Sequence, residues 1–446
     1  MNKKILTVFV ILLALGAVFG SCKKDKKDDE VIELRVLNYF DMTVANASDE
    51  ISKIWDQFEK NNPDIKIIRE DYFNESFHEK TEAYAAAGQL PDVLYAWPSG
   101  RSTTLHSQHL IKDLGPLVKR EGLSFYYTPV ALDPSQQASG YLGILTQGVT
   151  ATSAFYVNME VLRDCGLEPA KTYTELKAQV PVLRAKGYDT ILMANESAWV
   201  MQSCLFSLVA GRFCGEGWEQ RILSGEAKFT DPDFVAALEF IKTMYNDGVL
   251  SKSTLNTGYG DVVGQFATGQ GAYYIDGDWR VGAFITDQSI NNALISPARQ
   301  NDILITVFPD IEGAKINKSA SVVLSTGWAM SAAIESGSAK EEAAWRLIKW
   351  LAGREVLSFR IEAGAIPTPS RIDIDYSNLK LEPMQVAIAA LGNEYNRTTV
   401  VIDGAFVSSV FESINNGLQA IGMGKQTPLQ AAVMAQTAFD AWKKTQ

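Results

Sequence analysis

Residues 87–114 read AGQLPDVLYAWPSGRSTTLHSQHLIKDL, and the order of residue types in this stretch organises the chain around it. Gly88 ends a helix, because only glycine enters the left-handed conformation there without strain. Pro91 and Asp92 then open a short apolar run, Val93 to Ala96, which reads as a buried strand. The strand delivers Trp97, Pro98, Ser99 and Gly100 into a loop. In open α/β sheets ligands sit just beyond the carboxyl ends of strands, so Trp97 stands where a ligand would be held.

The elements before this stretch repeat the same logic. Val31 to Tyr39 reads as a strand, and Asp41 lies just past its end. Ser48 or Asp49 is placed to cap a helix whose stripe is Ile51, Ile54, Trp55 and Phe58. Ile65 to Ile68 is a second strand, and Glu75 to Ala87 a second helix. The pattern β-α-β-α-β begins a doubly wound parallel sheet.

The chain has 446 residues, more than one hydrophobic core usually serves, so two domains are expected. Its net charge of −11 argues against a nucleic-acid partner. At the N-terminus Lys3 and Lys4 precede an apolar run from Ile5 to Val18, too short to span a bilayer. Residues 1–21 therefore read as a secretory signal. Gly20 and Ser21 before Cys22 resemble a bacterial lipobox, which makes Cys22 the lipidation site; ordinary cleavage near Ser21 is the other reading. Residues 22–30 form a charged tether, and the mature protein is expected in the cell envelope, as a monomer held to the membrane by its lipid. Cys165, Cys204 and Cys214 remain; Cys204 and Cys214 either pair or lie buried as small apolar groups.

Further along, Gly148 to Asn158 is extended, and Thr172 with Glu175 has the T-x-x-E spacing of a helix start. Ile191 to Trp199 ends a strand and puts Glu196 and Trp199 in a loop. Phe229 to Tyr245 (FTDPDFVAALEFIKTMY) is an amphipathic helix, and Phe266, Gly269, Gly271, Ala272, Gly277 and Trp279 follow at spaced intervals. Ile303 to Phe308 reads as a strand, Ser338 to Leu351 as a strong amphipathic helix, followed by GAIPTPS at 364–370.

Taken in order, these motifs resemble the family 1 extracellular solute-binding proteins, the sugar-binding subunits of ABC importers. The resemblance implies an α/β, two-lobed periplasmic binding protein-like fold of type II. Each lobe would be a mainly parallel sheet flanked by helices, with three hinge segments between them. It assigns 31–147 and 280–327 to lobe 1, and 148–279 and 328–446 to lobe 2, with the 303–308 strand returning to lobe 1. A sugar or oligosaccharide would bind in the cleft and pass to a membrane permease, with no cofactor and no catalysis.

Sugar recognition needs aromatic faces against pyranose C–H groups and carboxylates that accept from hydroxyls. Loop residues at strand ends meet that need: Tyr39, Asp41, Glu75 and Trp97 in lobe 1, Glu196 and Trp199 in lobe 2, and Asp278, Trp279 and Trp328 at the crossings. Each carboxylate has an alternative role as a helix cap or surface charge, and Trp279 and Trp328 as hinge packing. Trp55, Trp345 and Trp350 lie on helical stripes and belong to the core; Arg360 and Phe406 are weaker cleft candidates. His106 and His109 read as surface residues. The sequence lacks H-E-x-x-H, G-x-S-x-G and P-loop motifs, which disfavours an enzyme. Two other binding functions stay open. One is a metal or polyamine carrier, for which Tyr126-Tyr127 and Tyr273-Tyr274 are candidate iron ligands; the other is a glycan-binding surface adhesin.

Overall fold

A computed structural model describes residues 31–42 and 45–445. The signal segment, Cys22 and the charged tether lie outside the described residues. No helix among the described residues is long and apolar enough to cross a membrane.

The strands in chain order are β1 (Ile32–Tyr39), β2 (Ile65–Tyr72), β3 (Val93–Ala96), β4 (Ile144–Thr146), β5 (Gly148–Ala151), β6 (Ala154–Asn158), β7 (Asp189–Leu192) and β8 (Gly271–Asp276). They continue as β9 (Thr286–Asp287), β10 (Asn292–Ala293), β11 (Ile303–Thr306), β12 (Ser319–Leu324), β13 (Gly327–Met330), β14 (Thr368–Pro369) and β15 (Arg397–Thr399). The first lobe is built on the sheet β2-β1-β3-β13-β4 and the second on β11-β6-β8-β7.

The opening stretch behaves as its residues dictate. The helix Glu75–Ala87 stops at Gly88, whose φ is 63°. β3 is almost wholly buried, as a strand covered on both faces must be. It pairs in parallel with β1 and antiparallel with β13. Two side-chain layers cover the first sheet. One contains Trp55, Phe58, Trp328 and Trp345; the other contains Leu37, Phe77, Leu94 and Leu105.

Several expectations are corrected. The Ile303–Thr306 strand does not return to the first lobe; it pairs antiparallel with β6 and edges the second sheet. In its place β13 enters the first sheet, and the helix Ala339–Leu351 packs beside it through Trp345 and Leu347. Residues 280–311 therefore pack with the second lobe, and the segment 328–446 is shared between the lobes. The sheets are also mixed. In the second, only β7 and β8 run parallel, joined by the long helical segment between Leu192 and Gly271, while β6 runs antiparallel to both β8 and β11. The first helix opens behind Asn46, left-handed at φ 60°, rather than on Ser48 or Asp49. Thr172 does cap its helix, accepting from the Glu175 N–H at 3.2 Å.

The connections between lobes meet in a third sheet, β14-β5-β12-β15. β5 carries the chain from β4 in the first sheet to β6 in the second, and β12 leads from β11 back to β13. The third passage runs from the helix Arg354–Glu362 through β14 to the helix Pro383–Ala389 and its second-lobe contacts Met384 and Ile388. Gly148 lies at the first crossing. A Cβ there would fall 2.2 Å from the Thr368 carbonyl oxygen, so two crossing backbones touch where glycine leaves room.

Candidate interlobe solute site

Two groups of aromatic rings face each other across the lobes. The first grows from the ends of β1 and β3. Tyr39 stacks on Tyr95 at 5.7 Å between centroids and meets Phe73, Phe77 and Trp97 at 5.3, 5.4 and 5.3 Å. Trp97 also touches the His78 ring at 4.7 Å. Two bonds hold its backbone: its N–H donates to Ser102 Oγ at 3.1 Å, and its carbonyl lies 3.0 Å from His106 Nε2. His106 is thus a buried support of the Trp97 loop, which corrects its assignment to the surface. Tyr39, Phe73 and Trp97 each keep part of their surface open.

The second group belongs to lobe 2. Trp199, which follows β7, lies 5.2 Å from Tyr259 and 6.4 Å from Trp279. Trp279 Nε1 donates to Tyr259 Oη at 2.7 Å. Beneath them Arg280 is fully buried, with its guanidinium 4.0 Å from the Tyr259 ring centre, and it donates to the Tyr259 carbonyl at 2.7 Å. Asp276, equally buried, stands 3.6 Å from Arg280 and supplies the opposite charge. This pair fixes the platform from below, since burying either charge alone would be costly.

The two groups meet. Phe73 and Tyr259 are 6.4 Å apart, and Trp199 Nε1 donates to Asn74 Oδ1 at 3.1 Å. Arg101, in the loop after β3, reaches over with its guanidinium 5.6 Å from the Trp199 ring. Its Nε donates to Asp403 Oδ2 at 2.7 Å and its Nη1 to His78 Nε2 at 2.8 Å. Burial and the charge of Arg101 push His78 down to about 3, so the ring is neutral and accepts this bond. Asn46 makes another tie, donating to the Thr286 carbonyl at 3.1 Å and accepting from the Gln288 N–H at 2.7 Å.

Of the residues singled out from sequence, Tyr39, Trp97, Trp199 and Trp279 belong to these ring groups. Glu75 and Glu196 are exposed at the rim; Glu75 lies 3.8 Å from Arg101. Asp41 is half-buried just past β1. Trp328 is corrected. It is fully buried in the first-lobe core, 5.7 Å from Trp55 and 5.2 Å from Tyr95, because β13 is a central strand of that sheet. Asp278 is corrected too: it is buried against the first crossing, where its Oδ2 accepts from the Ala151 N–H at 2.8 Å. Phe406 is core, and Arg360 is buried against Glu50 at 2.9 Å. Tyr273 and Tyr274 are fully buried along β8, and Tyr127 is buried and donates to the Ala352 carbonyl. Among the described residues no three His, Cys, Asp or Glu side chains are grouped to hold a metal. Cys204 and Cys214 are separate buried thiols.

Phe73, Asn74, Arg101, Tyr259 and Asp403 were not anticipated. Arg101 was within reach, four positions beyond Trp97 in the same loop. Asp403 was not, since its role depends on a partner 302 residues away.

Asp278 also provides a titration test. Burial raises its carboxyl from the usual range to about 7. Between the unfolded pKa near 4 and this value, the native state binds the extra proton, so stability falls as pH rises. Replacement by asparagine keeps an acceptor for Ala151 and removes the penalty. Asp278→Asn is therefore expected to stabilise the protein by on the order of 3 kcal/mol at pH 8 and by almost nothing at pH 4. Urea unfolding at both pH values measures the difference; equal gains at both would refute it.

Two lobes joined by three crossings thus place two groups of aromatic rings opposite each other at the lobe interface. The chain belongs to the bacterial extracellular solute-binding proteins, whose family model matches residues 45–357. No curated protein sequence matches it. Among solved structures, one from work on xylan utilization by the thermophilic bacterium Caldanaerobius polysaccharolyticus is 21% identical, covering 91% of this chain and 99% of that one, with a TM-score of 0.80. A chitin oligosaccharide binding protein is 18% identical, covering 92% and 99%, with a TM-score of 0.79. The maltose/maltodextrin-binding domain from Bdellovibrio bacteriovorus, bound to maltotriose, is 17% identical, covering 93% and 100%, with a TM-score of 0.70. These are likenesses of fold.

Proposed function

We propose that this protein captures a sugar or oligosaccharide between its lobes and delivers it to the permease of an ABC importer. It acts as a lipoprotein anchored through Cys22 in the cell envelope and performs no chemistry on its ligand. The observation that carries this reading is the pair of facing ring groups, Tyr39, Phe73 and Trp97 opposite Trp199, Tyr259 and Trp279. Such faces suit the apolar C–H surfaces of pyranose rings. Glu75 and Glu196 at the rim suit hydroxyl donors, each charge-assisted bond contributing about 1.5–3 kcal/mol. Fold neighbours described with xylan utilization, chitin oligosaccharides and maltotriose support the same class of ligand.

The test is tryptophan fluorescence and thermal melting of the mature chain against a panel of mono- and oligosaccharides. A ligand at a hundred times its Kd is expected to add about 2.7 kcal/mol of stability. Trp199→Ala should then cost about 2 kcal/mol of binding, roughly thirtyfold in Kd. A response to a metal or polyamine alone would move the ligand class. No response to any soluble ligand would favour an adhesin.

A further inference from the structure

The contact around Arg101 is built for more than lining a cleft. Its loop begins where β3 of the first lobe ends, and Leu105 anchors the following helix in a first-lobe core layer. Asp403 lies in the short helix Ile402–Ala405, between Ile402 and Phe406, which are both second-lobe core. The ion pair at 2.7 Å therefore spans the lobes, and its side chains are only 10% and 9% exposed. Ser203 of the second lobe donates to the same Asp403 oxygen at 3.0 Å and orients it. The guanidinium sits 5.6 Å from the Trp199 ring and 5.9 Å from Phe411, both of the second lobe. Gly100, beside Arg101, is pressed so closely on that lobe that a Cβ would fall 2.1 Å from the Phe406 carbonyl oxygen.

We infer that Arg101 and Asp403 form a latch that holds the lobes together before any solute arrives, so that solute affinity depends on the latch as well as on the rings. The inference rests on the interlobe cleft being the binding site, and not on which solute fills it. The physical reason lies in burial. A pair removed from water is little screened by salt, and neither charge tolerates loss of the other. If Asp403 becomes neutral, Arg101 stays buried against the second lobe without a counter-charge, and opening the lobes returns it to water. His78 cannot compensate, because it only accepts. Glu75, at 3.8 Å, belongs to the first lobe and moves with Arg101. Arg101 Nη2 is buried with no protein acceptor, so Asp403 is the charge that compensates the guanidinium across the lobes. The solute then completes a preformed closed state, and the apparent Kd equals the intrinsic Kd divided by the closed fraction.

Small-angle X-ray scattering of the ligand-free mature chain tests this directly. Wild type is expected to be as compact without solute as with it. Asp403→Asn, of nearly the same shape, is expected to be expanded without solute and to contract on binding, with a Kd about tenfold weaker as the closed fraction falls to about a tenth. Gly100→Ala supplies the open reference by steric wedging with no change of charge. Arg101→Gln reads the same latch from the other lobe should Asp403→Asn fail to fold. The inference is overturned if the Asp403→Asn profile superimposes on wild type, or if ligand-free wild type is already as expanded as Gly100→Ala. A failed search for a sugar ligand leaves the scattering comparison intact, so the two readings fail separately.

Discussion

Replacing Gly100 with alanine is expected to weaken solute binding about a hundredfold or more while lowering the melting temperature by only a few degrees, the share of stability that closure of the ligand-free chain supplies. The new Cβ would lie 2.1 Å from the Phe406 oxygen and 2.6 Å from the Asp403 oxygen, far inside the contact distance of nonbonded atoms. Both atoms are backbone, so no side chain can swing aside. Both belong to the opposite lobe, so the clash arises only when the lobes close. Gly100 does not need the left-handed region, so alanine strains nothing locally and restricts the unfolded chain. Closure is what brings Trp199 to Asn74 and Tyr259 to Phe73. A hundredfold loss is about 2.7 kcal/mol. Calorimetric titration beside a melting curve separates this from unfolding. A Kd within threefold of wild type would mean that the lobes bind solute without this contact.

The second large effect concerns stability. Arg280→Met is expected to destabilise the protein by about 3–5 kcal/mol, read as the midpoint and slope of urea unfolding. Arg280 donates to Tyr259 O at 2.7 Å and to Tyr274 Oη at 3.2 Å, and faces Asp276 at 3.6 Å. Methionine fills much of the volume but leaves Asp276 as a buried, uncompensated carboxylate. The Gly277 N–H at 2.7 Å and the Tyr274 hydroxyl still hold that carboxylate, which soften the loss without cancelling the charge. Adding Asp276→Asn should recover much of the stability, since removing both charges costs less than removing one. Solute binding should not recover with it, because Tyr259 has lost the cation beneath its ring. A loss below 1 kcal/mol for the single substitution would show that the pair contributes little to folding.

Much of the architecture could be read locally. The strand and loop of 93–100, the helix ending at Gly88 and the cap at Thr172 are each decided within a few residues, by backbone sterics, side-chain period and short hydrogen bonds. The same local logic placed Tyr39, Trp97 and Trp199 beyond strand ends, where the ring groups form. It failed for Trp328, because position past a crossing does not tell a cleft residue from the core of a central strand. It also failed for Ile303–Thr306, because an apolar strand carries no mark of the sheet that will receive it.

The two-lobed class was implied by the family resemblance; the sequence by itself determined the α/β pattern of the first domain, the order of the elements and most of the aromatic residues at the lobe interface. These follow from hydrophobic period, glycine and proline positions, and residue types at strand ends, all properties of short segments. Only the tertiary structure decided which strands share a sheet, that Asp278 serves a crossing, and that Arg101 meets Asp403. Those outcomes depend on groups up to 302 residues apart. Their energies come from burial, and burial exists only once the lobes have folded and closed.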